Sequence, residues 1–258
     1  MQIRKWYADC VSTDGDVCMA YAARIGLGPL SVPYQAILIG ERGDPLSQRT
    51  ALTSRQGPRV GGDDATWRCP GLDLEGTWSR TSPPFRLVLL DTPSVTIEWL
   101  CHMPGASAAV RAGSRAFEGL GYLEELRVSG NPMAIPIREL RWGRFLGESD
   151  SVVWIDWSGP KPLTVVLHDG IEVADGQVTD EAVSFSGFRL GLGGAERWTL
   201  RDEVAEESVF PNRAWLRPLL PRALAHLHEV KWAAPGSLRR PDGTRSPGWV
   251  VYERVVWP

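Results

Sequence analysis

The chain has 258 residues, a formal net charge of −3 and 43% hydrophobic residues, the balance of a globular protein with one large domain or two small ones. The lack of a basic excess argues against nucleic acid as a partner. Four dispersed cysteines without a C-x-x-C pair exclude a zinc ribbon and a disulfide framework.

Targeting segments are not evident in the sequence. No apolar run follows residues 1–6, so we expect no signal peptide. The apolar stretches are shorter than the roughly 18 residues that a membrane helix needs. We therefore expect a cytoplasmic protein without a transmembrane segment. A peripheral contact with a membrane and the oligomeric state are left open.

The first half of the chain predicts short strands, because β-favouring aromatic residues alternate with frequent glycine and proline turns. The chain contains 12 Trp, 27 Gly and 20 Pro. The predicted strands are 16–24, 32–39, 72–80, 85–91, 94–102 and 117–128. Residues 43–65 are predicted to form a long loop or an irregular hairpin, and the alanine-rich residues 106–115 a short helix.

The second half continues this pattern after a proline-containing loop at 128–136, where we place a domain boundary. Its predicted strands are 137–145, 151–157, 163–168, 171–178, 182–188, 195–200 and 248–257. Residues 221–228 show some helical spacing, and residues 230–232 are strand-like. The expected domains are 1–130 and 131–258. A dozen or more strands at this spacing favour a β-sandwich or β-barrel, and two similar β-halves are compatible with it.

The common catalytic and cofactor motifs are not found. The sequence contains no nucleophile elbow, phosphate-binding loop, H-E-x-x-H zinc motif or EF-hand loop. His226 and His228 have the spacing of a metal-binding pair, but a polar strand face explains them more simply. We expect no cofactor and no metal.

Charged and aromatic residues alternate over residues 119–157. Residues two apart share a face of a strand, which pairs Tyr122 with Glu124, Glu139 with Arg141, Trp142 with Arg144, and Trp154 with Asp156. Such strands form either an exposed face with ion pairs or a polar cluster in an aromatic pocket inside a barrel.

Three motifs in this region resemble a known superfamily. They are Gly-Tyr-Leu-Glu-Glu at 121–125, Leu-Arg-Trp-Gly-Arg at 140–144 and Val-Val-Trp-Ile-Asp at 152–156. The pattern is similar to that of the hydroxyneurosporene synthase (carotenoid 1,2-hydratase) superfamily, which includes tocopherol cyclase-like proteins and lipocalin-like Diels–Alderases. The resemblance implies an all-β fold of two lipocalin-like (calycin) antiparallel β-barrels or sandwiches packed together, with few short helices.

The resemblance also implies site residues. Tyr122 and Glu124 match the family motif, whereas Leu123 and Glu125 stand where the family has histidines. Glu124 is therefore the expected proton donor, Tyr122 the residue that orients it or relays a proton, and Asp156 a second candidate acid. The expected substrate-binding residues are Trp99, His102, Glu125, Arg141, Trp142, Arg144 and Trp154.

These residue types suit acid-catalysed chemistry on an alkene. Burial in an apolar pocket favours the neutral form of a glutamic acid, which can then protonate a double bond. Tryptophan faces stabilise the resulting carbocation. We expect a cofactor-independent hydratase or cyclase that acts on a hydrophobic isoprenoid or polyene, as in terpenoid or carotenoid biosynthesis.

Three alternatives are left open. If Arg141 or Arg144 grips an anionic group of the substrate, the protein is an isomerase or pericyclic cyclase of an oxygenated polyene. A barrel of this kind also serves as a non-catalytic carrier of an apolar small molecule. If the Arg/Glu strands are exposed, the protein is an interaction module. Whether these arginines pair with Glu124 or with Glu139 is not decided by the sequence.

Overall fold

The computed structural model describes residues 1–27, 30–52, 57–204 and 226–257 of the chain. Within these ranges the secondary structure consists of antiparallel strands and three single-turn 3₁₀ helices, which confirms the all-β class. The chain divides into two compact units. The first comprises Met1–Arg42 and Leu46–Ile135, and the second comprises Gly43–Pro45 and Pro136–Pro258.

The first unit contains one ten-stranded antiparallel sheet. Its strands are β1 (Gln2–Ser12), β2 (Val17–Leu27), β3 (Leu30–Gly40), β4 (Ser47–Ala51), β5 (Arg59–Gly61), β6 (Asp64–Cys69), β7 (Leu74–Arg80), β8 (Phe85–Asp91), β9 (Val95–Ala112) and β10 (Arg115–Gly130). The spatial order is β4-β3-β2-β1-β10-β9-β7-β6-β5, and β8 also pairs with β9. Strand β1 therefore has β10, from the far end of the unit, as a neighbour.

One face of this sheet is covered by the hydrophobic core of the unit. Large side chains such as Trp67 and Trp78 lie next to small ones such as Ala108. Gly121 is required beneath Trp78, because a Cβ atom at this position would lie 2.7 Å from the indole Cδ1. The core thus contains tryptophans from three strands, Trp6, Trp67 and Trp78, and small residues on neighbouring strands make room for them.

The prediction of a helix over residues 106–115 is wrong, since β9 continues through Ala112 and β10 begins at Arg115. From Ala106 to Ala112, buried and exposed residues alternate with the two-residue period of a strand. Alanine favours helices in isolation. Here the small side chains are needed because Trp78 on β7 lies opposite Ala108.

The described part of residues 43–65, which leaves out 53–56, is also more regular than predicted. It contains β4, β5 and the start of β6. Strands β4 and β5 are the two ends of the sheet order, and all three residues of β5 are exposed. Their polar sequence reflects this edge position, where neither face needs a continuous apolar stripe.

The second unit contains another ten-stranded antiparallel sheet. Its strands are β11 (Glu139–Gly147), β12 (Ser151–Ser158), β13 (Leu163–His168), β14 (Ile171–Glu172), β15 (Gln177–Val178), β16 (Ala182–Phe185), β17 (Phe188–Gly191), β18 (Trp198–Val204), β19 (His228–Arg239) and β20 (Arg245–Val256). The spatial order is β14-β13-β12-β11-β20-β19-β17-β16-β15, and β18 also pairs with β19. This order repeats that of the first unit with every strand number raised by ten.

Some predicted boundaries in the second unit need correction. The strand predicted over 171–178 is two separate two-residue strands, β14 and β15. The strand predicted from residue 195 begins at Trp198, after a 3₁₀ turn at Gly194–Glu196. Residues 221–225 of the segment with helical spacing lie outside the described residues. No helix in the described part of the chain is long and apolar enough to cross a bilayer.

Candidate functional site

Two strands at the centre of the first sheet carry the same short motif, a tyrosine followed two residues later by an acid. The motif is Tyr7-Ala-Asp9 on β1 and Tyr122-Leu-Glu124 on β10. The antiparallel register places Tyr7 opposite Glu124 and Asp9 opposite Tyr122, so that all four side chains share one face. We call these four residues the tyrosine–carboxylate quartet.

The quartet lies on the face of the sheet opposite to the hydrophobic core. The residues between its members, Ala8 and Leu123, belong to that core, and side chains alternate along a strand. All four quartet residues are nevertheless buried, with Glu124 only 8% exposed. The first sheet therefore has a polar cluster shielded from solvent on its second face.

Three hydrogen bonds define the geometry of the quartet. The Tyr7 hydroxyl donates to Oδ2 of Asp9 at 2.7 Å. The Tyr122 hydroxyl and the Trp99 indole N–H both donate to Oε2 of Glu124, each at 2.6 Å. Two donors on separate strands thus hold the Glu124 carboxyl group through a single oxygen.

The surroundings of the quartet keep Tyr122 and Cys101 neutral. Burial raises the pKa of Tyr122 well above its usual range, and nearby Cys101 and Glu124 act in the same direction. Burial likewise raises the pKa of the Cys101 thiol, which lies opposite Glu124 in the register of β9 and β10. Tyr122 therefore remains a hydrogen-bond donor to Glu124 over the whole physiological pH range.

The thiols give a simple test of this environment. Cys10, Cys18, Cys69 and Cys101 are all free and buried, and burial raises the pKa of the thiols of Cys18, Cys69 and Cys101. Since the thiolate is the reactive form, we expect the native protein to react slowly with Ellman's reagent and all four thiols to react after denaturation. Rapid labelling of Cys101 in the native protein would contradict the buried site.

Strand β9 is irregular where it passes Glu124. The pairing of β9 with β10 shifts between Gly121 and Glu124, and His102 has no partner in the register. Such bulges change which face a side chain occupies. Trp99 and Cys101 precede the bulge and lie on the face of Glu124 by ordinary alternation. The His102 ring stacks on Trp6 of the other face with ring centroids 5.1 Å apart, and the bulge places the next residue, Met103, in the core on that same face.

The neighbouring acid, Glu125, has a very different environment. It is 1% exposed and accepts bidentate hydrogen bonds from both Arg4 and Arg127. Burial by itself raises the pKa of Glu125, but His102, Arg127 and Arg4 together outweigh burial and lower the pKa to about 2. The adjacent carboxyl groups of Glu124 and Glu125 therefore have different hydrogen-bond partners, because the strand directs them to opposite faces of the sheet.

Arg141 is one of the two arginines whose partners the sequence left open, and it pairs within its own unit. Arg141 contacts Glu139 at 2.7 Å, Asp180 at 2.8 Å and Asp156 at 3.3 Å. Thr164 donates a second hydrogen bond to Asp156 at 2.7 Å. These contacts give Asp156 the role of an ion-pair partner of Arg141.

The remaining predicted residues of the second unit occupy both faces of its sheet. Trp154 belongs to the hydrophobic core of this unit. Trp142 directly precedes Gly143, the partner of Trp154 in the register, and therefore lies on the opposite face. The ammonium group of Lys231 lies over the Trp142 ring, 5.5 Å from its centroid. Arg144 is fully buried and donates to the backbone carbonyl of Trp249 at 3.2 Å.

One group of potential metal ligands occurs among the described residues, formed by Asp150, His168 and Asp169, whose ligand atoms lie within 4.8 Å of one another. Arg240 already contacts Asp150 at 2.5 Å and supplies the positive charge at this position. We therefore assign no metal to this group. His228, considered above as a ligand, contacts Asp202 at 2.8 Å.

Sequence reasoning missed Tyr7, Asp9 and Cys101. The signal for the first two was present in the repeated Tyr-x-acid spacing at 7–9 and 122–124. It could not be used without knowing that β1 and β10 are neighbours. Cys101 lies two residues after Trp99 and therefore shares its face, a signal that the sequence also contained.

The architecture was compared with known proteins. No family model and no curated protein matches the chain. Among solved structures, kievitone hydratase from Nectria haematococca has 11% identity and a TM-score of 0.53, covering 98% of this chain and 88% of its own. A putative AttH from Nitrosomonas europaea has 9% identity and a TM-score of 0.55, covering 98% and 92%.

CghA in complex with Sch210972 is a third structure of the same kind. It has 11% identity and a TM-score of 0.55, covering 99% of this chain and 88% of its own. At these identities the likeness concerns the fold. The chain has the two-unit, lipocalin-like β fold of these proteins, and the resemblance seen in the sequence motifs is confirmed at this level.

Proposed function

We propose that this protein is a cofactor-independent hydratase or cyclase that uses Glu124 to protonate a carbon–carbon double bond of a hydrophobic isoprenoid or polyene. The observation that carries this proposal is the pair of 2.6 Å hydrogen bonds from Trp99 and Tyr122 to a single oxygen of the buried Glu124. Both donors are neutral and hold the carboxyl group in place, and in the proposed reaction Oε1 carries the transferable proton.

The proposed reaction begins with transfer of this proton. The π electrons of the alkene form a C–H bond with the proton on Oε1, which leaves a carboxylate on Glu124 and a carbocation on the substrate. In hydration, a water oxygen attacks the cation and then gives a proton back to the Glu124 carboxylate, so that the net change is addition of water. In cyclisation, a second double bond attacks, and a carbon-bound proton of the resulting cation passes to the same carboxylate, so that the net change is isomerisation.

Aromatic rings around the quartet suit a cationic intermediate. The Tyr7 ring lies 5.1 Å from Tyr21 and 6.1 Å from Tyr122, measured between centroids. Trp99 is fully buried and makes an edge contact with Phe85. Aromatic faces attract cations without acting as strong nucleophiles, and the proposed substrate pocket is built from these rings.

The fold supports this function, since one solved structure that shares it is named kievitone hydratase. The arginine-based alternative has less support. Arg141 is engaged by Glu139, Asp156 and Asp180, which leaves it poorly placed to grip a substrate anion.

Isotope incorporation tests the proposal. The wild-type protein is incubated in D₂O with a panel of linear isoprenoid alkenes and polyenes, and the products are analysed by mass spectrometry. We expect a hydrated or cyclised product with one non-exchangeable deuterium on carbon, because the acid is recharged from solvent. A product without carbon-bound deuterium would exclude protonation of the alkene. Binding of the panel without any turnover would instead favour a carrier.

A further inference from the structure

The second unit contains a cavity that the proposed function does not use. It has a volume of about 150 Å³, and its lining includes three aromatic rings, three guanidinium groups and two carboxylates. The carboxylates are Asp180, which pairs with Arg141, and Glu253, which pairs with Lys231. The residues relevant here are Trp154, Trp232, Tyr252, Arg141, Arg197 and Arg254. All of them belong to the second unit, whereas Glu124 belongs to the first.

The aromatic part of the cavity is rigidly built. The rings of Trp232 and Tyr252 are stacked, with centroids 5.1 Å apart and planes inclined by 28°. The Trp154 ring packs directly over Gly143, where a Cβ atom would lie 2.2 Å from Cζ2 of the indole. A cavity of about 150 Å³ accommodates a benzene-sized ring, and these walls offer such a ring stacking and edge contacts.

The three arginines of the cavity differ in how they are neutralised. Arg141 is surrounded by three carboxylates, and Arg254 donates to Glu139 at 2.6 Å. Arg197 lies over the Trp232 ring at 5.2 Å and donates to the Tyr252 hydroxyl at 3.4 Å. Within the described ranges, no carboxylate forms an ion pair with Arg197.

The Tyr252 hydroxyl helps to hold this arrangement. It donates its own proton to the backbone carbonyl of Leu192 at 2.9 Å and accepts from Arg197. The guanidinium is thus positioned by a ring face and a hydroxyl, neither of which neutralises its charge. A guanidinium has five N–H donors in a planar fork that fits a carboxylate.

We propose that this cavity is a binding site for a small monocyclic aromatic carboxylate. The ring lies among Trp154, Trp232 and Tyr252, and the carboxylate accepts hydrogen bonds from Arg197. The site is independent of the proposed chemistry at Glu124, so either can fail without the other. It makes the second unit a ligand-binding unit.

Isothermal titration with sodium benzoate tests this proposal on the full-length protein. We expect millimolar or tighter binding by the wild type and a loss of at least about 10-fold in Arg197→Gln, since hydrogen bonds to charged groups are the stronger ones. Arg189→Gln is the matched control, because Arg189 is an exposed arginine of the same unit outside the cavity. Benzamide, which keeps the ring and lacks the charge, is expected to bind more weakly than benzoate.

Three results would overturn the proposal. They are the absence of benzoate binding at millimolar concentration, equal binding by Arg197→Gln and the wild type, and equal binding of benzamide and benzoate. Arg197 is exposed at its position after the 3₁₀ turn, so the variant is expected to fold. Circular dichroism and thermal unfolding of both variants verify this.

Discussion

Replacement of Glu124 with Gln is expected to lower turnover by at least about 100-fold and to leave substrate binding nearly unchanged. The amide keeps the shape of the side chain and an oxygen that can accept from Trp99 and Tyr122. It lacks an acidic proton that it can transfer to an alkene. The loss therefore falls on the chemical step, which is measured as single-turnover product formation by mass spectrometry, and substrate affinity is measured separately.

Glu118→Gln is the control for this experiment. Glu118 lies on the same strand as Glu124, but it is exposed, so the same chemical change there should leave turnover at the wild-type level. Equal turnover by Glu124→Gln and the wild type would remove Glu124 from the mechanism. Loss of binding together with loss of turnover would indicate a structural role for this carboxyl group.

Replacement of Glu125 with Gln is expected to lower the free energy of unfolding by about 2 kcal/mol at pH 7. Removing one partner of a buried ion pair costs more than this when the remaining charge stays buried. Here the side chains of Arg4 and Arg127 are 54% and 41% exposed, so that water partly compensates them. The measurement is urea unfolding of both proteins, with Glu118→Gln as the control.

The effect of this substitution should depend on pH in a defined direction. Folding lowers the pKa of Glu125 from 4.5 to about 2, so the unfolded chain binds this proton more tightly. The stabilisation is complete above pH 4.5 and is lost as the pH falls towards 2. The difference between the wild type and Glu125→Gln should therefore shrink over this window. A difference that is constant from pH 7 to pH 3 would show that packing, rather than charge, is responsible.

The contrast between these adjacent acids shows what the sequence could predict. Alternation along a strand was sufficient to place Tyr122 with Glu124 and to place Glu125 on the other face. It could not identify the partners of each carboxyl group. Arg4 is 121 positions away from Glu125, and its contribution depends on the pairing of β1 with β10.

The pairing of Arg141 was open for the same reason. Its contact with Glu139 follows from their spacing on one strand, but the contacts with Asp156 and Asp180 require the strand register and the turn before β16. Residues 106–112 show a different limit of prediction from sequence, because intrinsic propensity and tertiary packing disagree there. Their alanines favour a helix by intrinsic propensity, and only the tryptophan of the neighbouring strand explains why they form a sheet.

The pairing of β1 with β10 also determines when the quartet can form during synthesis. Tyr7 and Asp9 leave the ribosome long before Tyr122 and Glu124 are made, and until then one edge of β1 has no strand to pair with. Contacts between such distant segments slow folding, because a long loop must close first. The second unit repeats this arrangement with β11 and β20. In each unit, a nascent chain of this protein therefore exposes an unpaired strand edge until the last strand is made, and such edges favour aggregation.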